Sequence, residues 1–229
     1  MVQIIRICDI CSGTGSIDRW AAAYNASQGD VRVEVTSVDI HGGVMGHVTT
    51  HTADILTWDY AAAYPVGHFH IVHASPPCTH YSIARTRAKT PRNLELADSL
   101  VQRCLDIIAH FAPRFWTLEN PASGMLRHRP VVAGLHFDTA EYCCYGTSWR
   151  KSTAFWNNIP GLALRRCDPK ACPACVGGRH VFSLSSRAGT SMPGTDRWKA
   201  GMIPVPLLDR MYGQVAIPLI LTAGLAPPG

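Results

Sequence analysis

The chain has 229 residues, 47% of them hydrophobic and only 16% charged, with a formal net charge of +5. That length supports one main domain with room for a small appendage, and that composition excludes a disordered tail or a long coiled coil. The N-terminus, MVQIIRICDI, lacks the charged, apolar and small-residue segments of a secretory leader. The nine cysteines are therefore expected to be reduced thiols, metal ligands or a nucleophile rather than a disulfide framework. No apolar segment is long enough to suggest a membrane span.

Residues 2–6 form a β-rich run that reaches Cys8 and Asp9 and passes into the glycine-rich loop Ser12-Gly13-Thr14-Gly15-Ser16. Ile17, Trp20, Ala21 and Tyr24 then recur at helical spacing, and Val31, Val33 and Val35 alternate on the way to Asp39. This is a strand, helix, strand unit with an acid at the end of its second strand. Residues 68–74 are a further β-like run, halted by Ser75-Pro76-Pro77, because proline lacks the amide for a ladder and fixes its backbone.

Leu94, Ala97, Leu100, Val101, Cys104, Leu105, Ile108 and Phe111 make the clearest helical stripe, and 115–118 predict a short strand stopping at Glu119-Asn120-Pro121. Strands that end in polar signatures and alternate with helices describe an open α/β parallel sheet, with its ligand edge at the strand carboxyl ends. Residues 137–145 and 153–156 predict an antiparallel edge pair. The stretch 160–200 has little periodicity, and 204–208 with 213–221 predict a final helix returning to the core. The expected organisation is a core over 1–157, a small basic insert over 158–202 and a C-terminal element over 203–229.

The positive charge is concentrated. Between residues 160 and 204, Arg165, Arg166, Lys170, Arg179, Arg187, Arg197 and Lys199 face only Asp168 and Asp196, a surplus equal to the net charge of the whole chain. A second run, Arg85, Arg87, Lys89 and Arg92, contains no acid. Two solvated loops would account for this, as would two walls of a groove for phosphates.

Glycines at a strand end permit tight turning and close approach of a ligand. A cysteine directly after a rigid proline turn, as Cys78 is in Ser75-Pro76-Pro77-Cys78, is held outward where it can attack an electrophile. Forty-one residues later, Glu119 supplies an acid at another strand end. A thiolate and an acid together can add to carbon 6 of a cytosine while engaging ring nitrogen 3, which makes carbon 5 nucleophilic. The plainer readings are a buried inert thiol for Cys78, turn caps for Asp39 and Asp54, and a partner of the following turn for Glu119.

In this order the motifs resemble those of DNA (cytosine-5) methyltransferases, particularly compact phage and prophage forms, over about residues 4–157 and 197–223. The resemblance implies a class I S-adenosylmethionine-dependent methyltransferase (Rossmann-like) sheet with a small target-recognition insert. It implies Cys78 as nucleophile, Glu119 as base-activating acid, and Arg150, in Tyr145-Gly146-Thr147-Ser148-Trp149-Arg150-Lys151-Ser152-Thr153, as the residue holding the cytosine. Asp9, Cys11, Gly13, Gly15, Asp39, Ile40, Asp54, Ile55 and Pro76 would then line the cofactor site, with Asp39 on the ribose and Asp54 near the adenine edge. Cys11 stands where the family usually has phenylalanine, Trp149 and Thr153 replace a glutamine and an arginine, and Gln214 takes the asparagine place of the terminal glycine-asparagine motif.

The implied reaction is methyl transfer to carbon 5 of cytosine in double-stranded DNA, through a covalent adduct and base flipping, by a cytoplasmic, monomeric enzyme of a bacterial host or phage. Transfer RNA methylation by the same chemistry and a catalytically silent DNA-binding module are the alternatives. Arg85, Arg87, Lys89, Arg165, Arg166 and Arg179 are the candidate DNA contacts. Within the insert, Cys167, Cys172, Cys175 and His180 have the spacing CxxxxCxxCxxxxH, which suits one structural Zn2+; reduced cysteines in a loop are the competing reading. So short a segment cannot readily build its own core, and a metal would offset that deficit.

Overall fold

The computed structural model describes residues 2–44, 46–83, 85, 88–183, 190–191 and 201–224. A seven-stranded sheet organises the chain, in the order β3-β2-β1-β4-β5-β7-β6. Its strands are β1 (Gln3–Ile10), β2 (Val31–Asp39), β3 (His51–Thr52), β4 (Ile71–Ala74), β5 (Phe115–Pro121), β6 (Phe137–Glu141) and β7 (Ser152–Asn157). β1 through β5 run parallel, and β7 lies antiparallel between β5 and β6. The expected α/β sheet and antiparallel pair are both present, with β7 inside the sheet and β6 at its edge.

β1 shows why the sheet is buried on both sides. Ile5 and Ile7 pack with α1 (Ser16–Ser27), Trp20 and the C-terminal Leu207, Leu208 and Ile217. Cys8 and Ile10 point the other way, to Val101, Cys104 and Phe111 of α3 (Leu94–Phe111). The two-residue period of a strand thus feeds two cores, as parallel sheets covered by helices require. Asn93 caps α3 by accepting from the Leu96 amide at 2.9 Å, and Ala112 ends it in a left-handed conformation before Pro113. The short α2 (Tyr60–Ala63) is capped by Asp59.

Register sets the rim. Ile10 pairs with both Val38 and Ala74, and Ala74 pairs with Leu118, so these four residues form one row across the sheet. The next residue of each strand or loop is Cys11, Asp39, Ser75 and Glu119. One expectation is corrected here: Glu119-Asn120-Pro121 lies inside β5 rather than beyond it, because β7 continues the ladder from Leu118–Trp156 to Pro121–Thr153. The sequence pattern of β5 alone carries no trace of that antiparallel partner.

After residue 157 the chain makes a two-residue hairpin, β8 (Cys175–Val176) with β9 (Arg179–His180). Gly177 and Gly178 both have positive φ, 57° and 76°, the backbone such a turn demands. β10 (Phe182–Ser183) pairs with β11 (Thr190–Ser191). The expected C-terminal helix is three continuous segments: α4 (Val205–Leu208), a π-helical stretch Asp209–Ala216 and α5 (Ile217–Ala223). Arg87, Arg187, Arg197 and Lys199 lie outside the described residues, as does the end of the C-terminal element beyond 224. Among the described residues, no helix is long and apolar enough to cross a membrane.

The π-helical stretch places Tyr212 in a buried polar network. His73 Nδ1 lies 2.7 Å from Thr117 Oγ1 and 2.9 Å from the Tyr212 hydroxyl, and its Nε2 lies 2.9 Å from Ser75 Oγ. Burial pushes the His73 pKa down to about 3. An unfolded histidine takes up its proton near 6.5, so between about 6.5 and 3 the unfolded chain binds a proton that the native state refuses. This contribution to stability is complete above pH ~6.5 and declines as the pH falls through that window, by up to about 1.4 kcal/mol per pH unit. Urea unfolding of wild type and His73→Gln between about pH 7.5 and 4.5 should therefore show the wild-type advantage shrinking toward acid; a constant gap would exclude a neutral His73 as its source.

Candidate functional site

The rim carries two adjoining sets of side chains. At the β1 end, Gly13 and Gly15 adopt positive φ of 47° and 67°. The Asp39 carboxylate accepts from the Gly13 amide and the His41 amide, both at 2.9 Å. Each carboxylate oxygen retains a lone pair for a hydroxyl donor. Residues after β2 fold back over the loop: the Val44 amide donates to the Gly13 carbonyl at 3.2 Å, and a Cβ on Gly15 would overlap the His47 ring. His47 Nε2 lies 3.3 Å from Ser12 Oγ and 3.7 Å from Asp18 Oδ2, itself buried without a hydrogen-bond partner. Burial first, then Asp18 and Asp39, push the Asp9 carboxyl well above the usual carboxylate range. Three acids therefore converge on one glycine turn.

The other residues named for this pocket are placed less uniformly. Ile40 is exposed at the rim, whereas Ile55 is packed in the core with Trp58. Asp54 caps its own turn, its carboxylate accepting from the Leu56 amide at 3.0 Å. Cys11, with a left-handed φ of 58°, turns its thiol toward Cys104 of α3, and that hydrogen bond with burial pushes it well up.

The second set surrounds Cys78. The Ser75 amide donates to the Ile10 carbonyl at 2.9 Å, which ties the proline turn to β1. Buried Asn120 donates from Nδ2 to the Pro76 carbonyl at 3.0 Å, which ties the same turn to β5. Beyond Cys78, the Tyr81 amide donates to the Cys78 carbonyl, and the buried Tyr81 hydroxyl donates to Asp98 at 2.7 Å. Arg129 grips that carboxylate from the opposite side, so the loop is held at both ends.

Glu119 is buried, and Lys151 Nζ sits 3.4 Å from its Oε1 and 4.8 Å from the centroid of the Tyr142 ring. Burial raises the Cys78 thiol pKa, Glu119 raises it further, and Lys151 works against both. Glu119, Lys151 and Cys78 thus form one electrostatic unit. The sequence reading did not single out Lys151. Arg150, its neighbour, instead pairs with Glu141 Oε1 at the end of β6 and is half exposed. The signal was available in the pleat, because consecutive residues entering a strand point to opposite sides.

The basic residues divide in the same way. Arg85 Nη2 is occupied by the Thr90 and Pro91 carbonyls, and Arg92 by the His80 and Ser82 carbonyls, so both brace the loop after Cys78. Lys89, Arg165, Arg166 and Arg179 are exposed. Where the insert meets the turn after β6, the thiols of Cys143, Cys167 and Cys172 and a ring nitrogen of His180 lie within 4.8 Å of one another. Cys143 joins the residues that sequence spacing brought together, and the Cys175 thiol stands beside those of Cys167 and Cys172.

No protein-family model matches the chain. It is 29% identical over 227 aligned residues to a viral protein from Frog virus 3 (isolate Goorha) named as a probable DNA (cytosine-5)-methyltransferase, with 90% of this chain and 99% of that protein covered. The expected likeness to this family is borne out. Among solved structures, a candidate DNA modification methyltransferase from an E. coli prophage matches 72% of this chain at 15% identity and a TM-score of 0.48, and the S. pombe Dnmt2 methyltransferase matches 67% at 15% and 0.40. This chain spans about half the length of each, 52% and 48%. A candidate class I S-adenosylmethionine-dependent methyltransferase from Listeria monocytogenes matches 72% of this chain at 13% identity and a TM-score of 0.39.

The coupling around Cys78 has a direct readout. Lys151→Met removes the cation that lowers the thiol pKa, so alkylation of Cys78 by iodoacetamide, followed by peptide mass spectrometry, should require a higher pH than in wild type. Glu119→Gln should shift the same profile to lower pH. Coincident profiles for the three proteins would show that neither charge acts on the thiol.

Proposed function

We propose that the chain is a DNA (cytosine-5) methyltransferase that moves the methyl group of S-adenosylmethionine to carbon 5 of cytosine. The observation that carries this reading is the meeting of Cys78, Glu119 and Lys151, from three separate segments, at one point of the rim beside the glycine loop. The likeness to the viral relative over nearly its whole length supports it.

The residues present fit the cofactor. Asp9, Asp18 and Asp39 gather carboxyl groups around a turn whose glycines leave the backbone open, and a ligand bearing an ammonium and a sulfonium would favour the ionised form that burial and mutual repulsion disfavour at Asp9. Asp39 keeps acceptor capacity for ribose hydroxyls, and the unpartnered Asp18 Oδ2 is a further acceptor within the loop. When bound, S-adenosylmethionine supplies an electrophilic methyl group.

The chain's own groups do the rest. Cytosine leaves the DNA stack, since its ring cannot reach a rim cysteine from inside the duplex. The Cys78 sulfur, on losing its proton, bonds to carbon 6, and the ring electrons shift toward carbon 5. The Glu119 carboxyl, carrying a proton, donates to ring nitrogen 3 as the ring takes up the electrons, and Lys151, poised over Tyr142, holds its Oε1. After transfer, removal of the carbon 5 proton returns the electron pair that expels the Cys78 thiolate and restores the aromatic ring. The exposed Arg165, Arg166 and Arg179 provide positive charge for the phosphates alongside.

A duplex containing 5-fluorocytosine should trap wild-type protein covalently, because fluorine cannot leave as the proton does, and Cys78→Ser should abolish the adduct. Trapping by an RNA stem instead of the duplex would assign the transfer RNA reaction, and full trapping by Cys78→Ser would remove the nucleophile. Glu119→Gln should lower turnover by roughly 10² to 10⁴, the range for a missing positioned acid. Asp39→Ala should weaken S-adenosylmethionine binding by calorimetry while the circular dichroism spectrum stays that of wild type.

A further inference from the structure

We propose that Cys143, Cys167, Cys172 and His180 hold one structural zinc ion that cross-links the main sheet to the basic insert. The proposal stands apart from the methyl-transfer reading.

Two edges of the cluster match those of a tetrahedral zinc site. Zinc with bonds of about 2.3 Å to sulfur and about 2.05 Å to nitrogen implies sulfur–nitrogen edges of roughly 3.55 Å. His180 Nε2 lies 3.5 Å from Cys167 Sγ and 3.6 Å from Cys172 Sγ, and all four ligand atoms fall within 4.8 Å of each other. One imidazole proton can satisfy only one of those sulfurs, whereas a metal accepts the nitrogen lone pair and both thiolates together. The Ala174 amide donates to Cys172 Sγ, a support of the kind that orients metal-bound thiolates.

Beyond its first residues the insert has little apolar packing. None of residues 163–180 is buried, and Leu164 alone among them packs against the core, so ligand binding stands in for a core over the rest. Its first turn is already laid against the sheet. The Glu141 amide donates to the Arg165 carbonyl at 3.1 Å, the Arg165 amide donates to the Tyr145 hydroxyl at 2.7 Å, and the Cys167 amide donates to Glu141 Oε2 at 2.9 Å. Cys143 sits inside this docking platform, in the turn Tyr142–Tyr145. A dication bound by three thiolates carries net charge −1, and the Arg150 guanidinium, fixed on Glu141, stands close by as the counter-cation. The ion would therefore join two parts of the fold, whereas a set using Cys175 would close only a loop within the insert.

Protein purified without chelator, or stripped and titrated with zinc, should bind about one ion per chain. X-ray absorption at the zinc edge of wild type should show three sulfurs at about 2.3 Å and one nitrogen at about 2.0 Å. Cys175→Ser should keep the ion and Cys143→Ser should lose it. Either ligand set gives three sulfurs and one nitrogen, so if the variant at buried Cys143 misfolds, Cys175→Ser, at a residue that is not buried, decides between them. Removing zinc should also make trypsin cut first at Arg165, Arg166, Lys170 or Arg179. Failure to bind zinc, a four-sulfur or oxygen-rich shell, loss of metal in Cys175→Ser, full occupancy in a folded Cys143→Ser, or equal cleavage with and without metal would each overturn the proposal.

Discussion

The parallel pairing of β1 on both edges is the constraint on which the rest depends. With Ile10 in register with Val38 and Ala74, and Ala74 with Leu118, four strands arrive level at one rim. The chain then departs in different directions: to a glycine turn, to the acid Asp39, to a proline turn and along β5 to Glu119. An open sheet places its ligand crevice where adjacent connections diverge, and here the divergence is between β1 and β4. Side chains distant in sequence meet because the ladder leaves them no other height.

Charge is distributed along this rim with a clear sense. The glycine turn lies among Asp9, Asp18 and Asp39, and the far side carries Lys151, Arg150 and the exposed arginines of the insert. Carboxyl groups gather at one end and cations at the other. Between them stands Cys78, whose thiol is raised by burial and by Glu119 and lowered by Lys151. A thiol raised by burial, beside a cation that favours its ionised form, has a charge that depends on what approaches it.

Local pattern made part of this legible. The stripe ending at Phe111 gave α3, the Val31–Asp39 alternation gave β2, and the proline turn after Ala74 located Cys78, because helical period, strand period and missing amides act over a few residues. Long-range contacts were not legible. The extension of β5 through Pro121 depends on β7, the place of Cys143 depends on how the turn after β6 packs against residues 165–167, and His73 finds a partner in Tyr212, 139 residues away. In the π-helical stretch, Gly213 leaves room for the Asp209 carboxylate and the Tyr24 ring, and its neighbour Tyr212 has its hydroxyl 2.6 Å from Thr117 Oγ1, 95 residues away.

Two pairs of consecutive residues show how closely the two centres are built together. The Tyr142 amide donates to the Lys151 carbonyl at 3.1 Å, and the Lys151 ammonium lies over the Tyr142 ring facing Glu119. One residue onward from Tyr142, and one residue back from Lys151, Cys143 and Arg150 face the thiol–imidazole cluster and Glu141. One step along the chain, in the turn Tyr142–Tyr145 and in the two residues before β7, therefore separates Tyr142 and Lys151, on the Cys78 side, from Cys143 and Arg150, on the insert side. Whatever fixes Cys143 and Arg150 also fixes the backbone from which Lys151 reaches Glu119. The insert is thus more than an appendage, because its anchoring points share their backbone with the residues that set the charge around the Cys78 thiol.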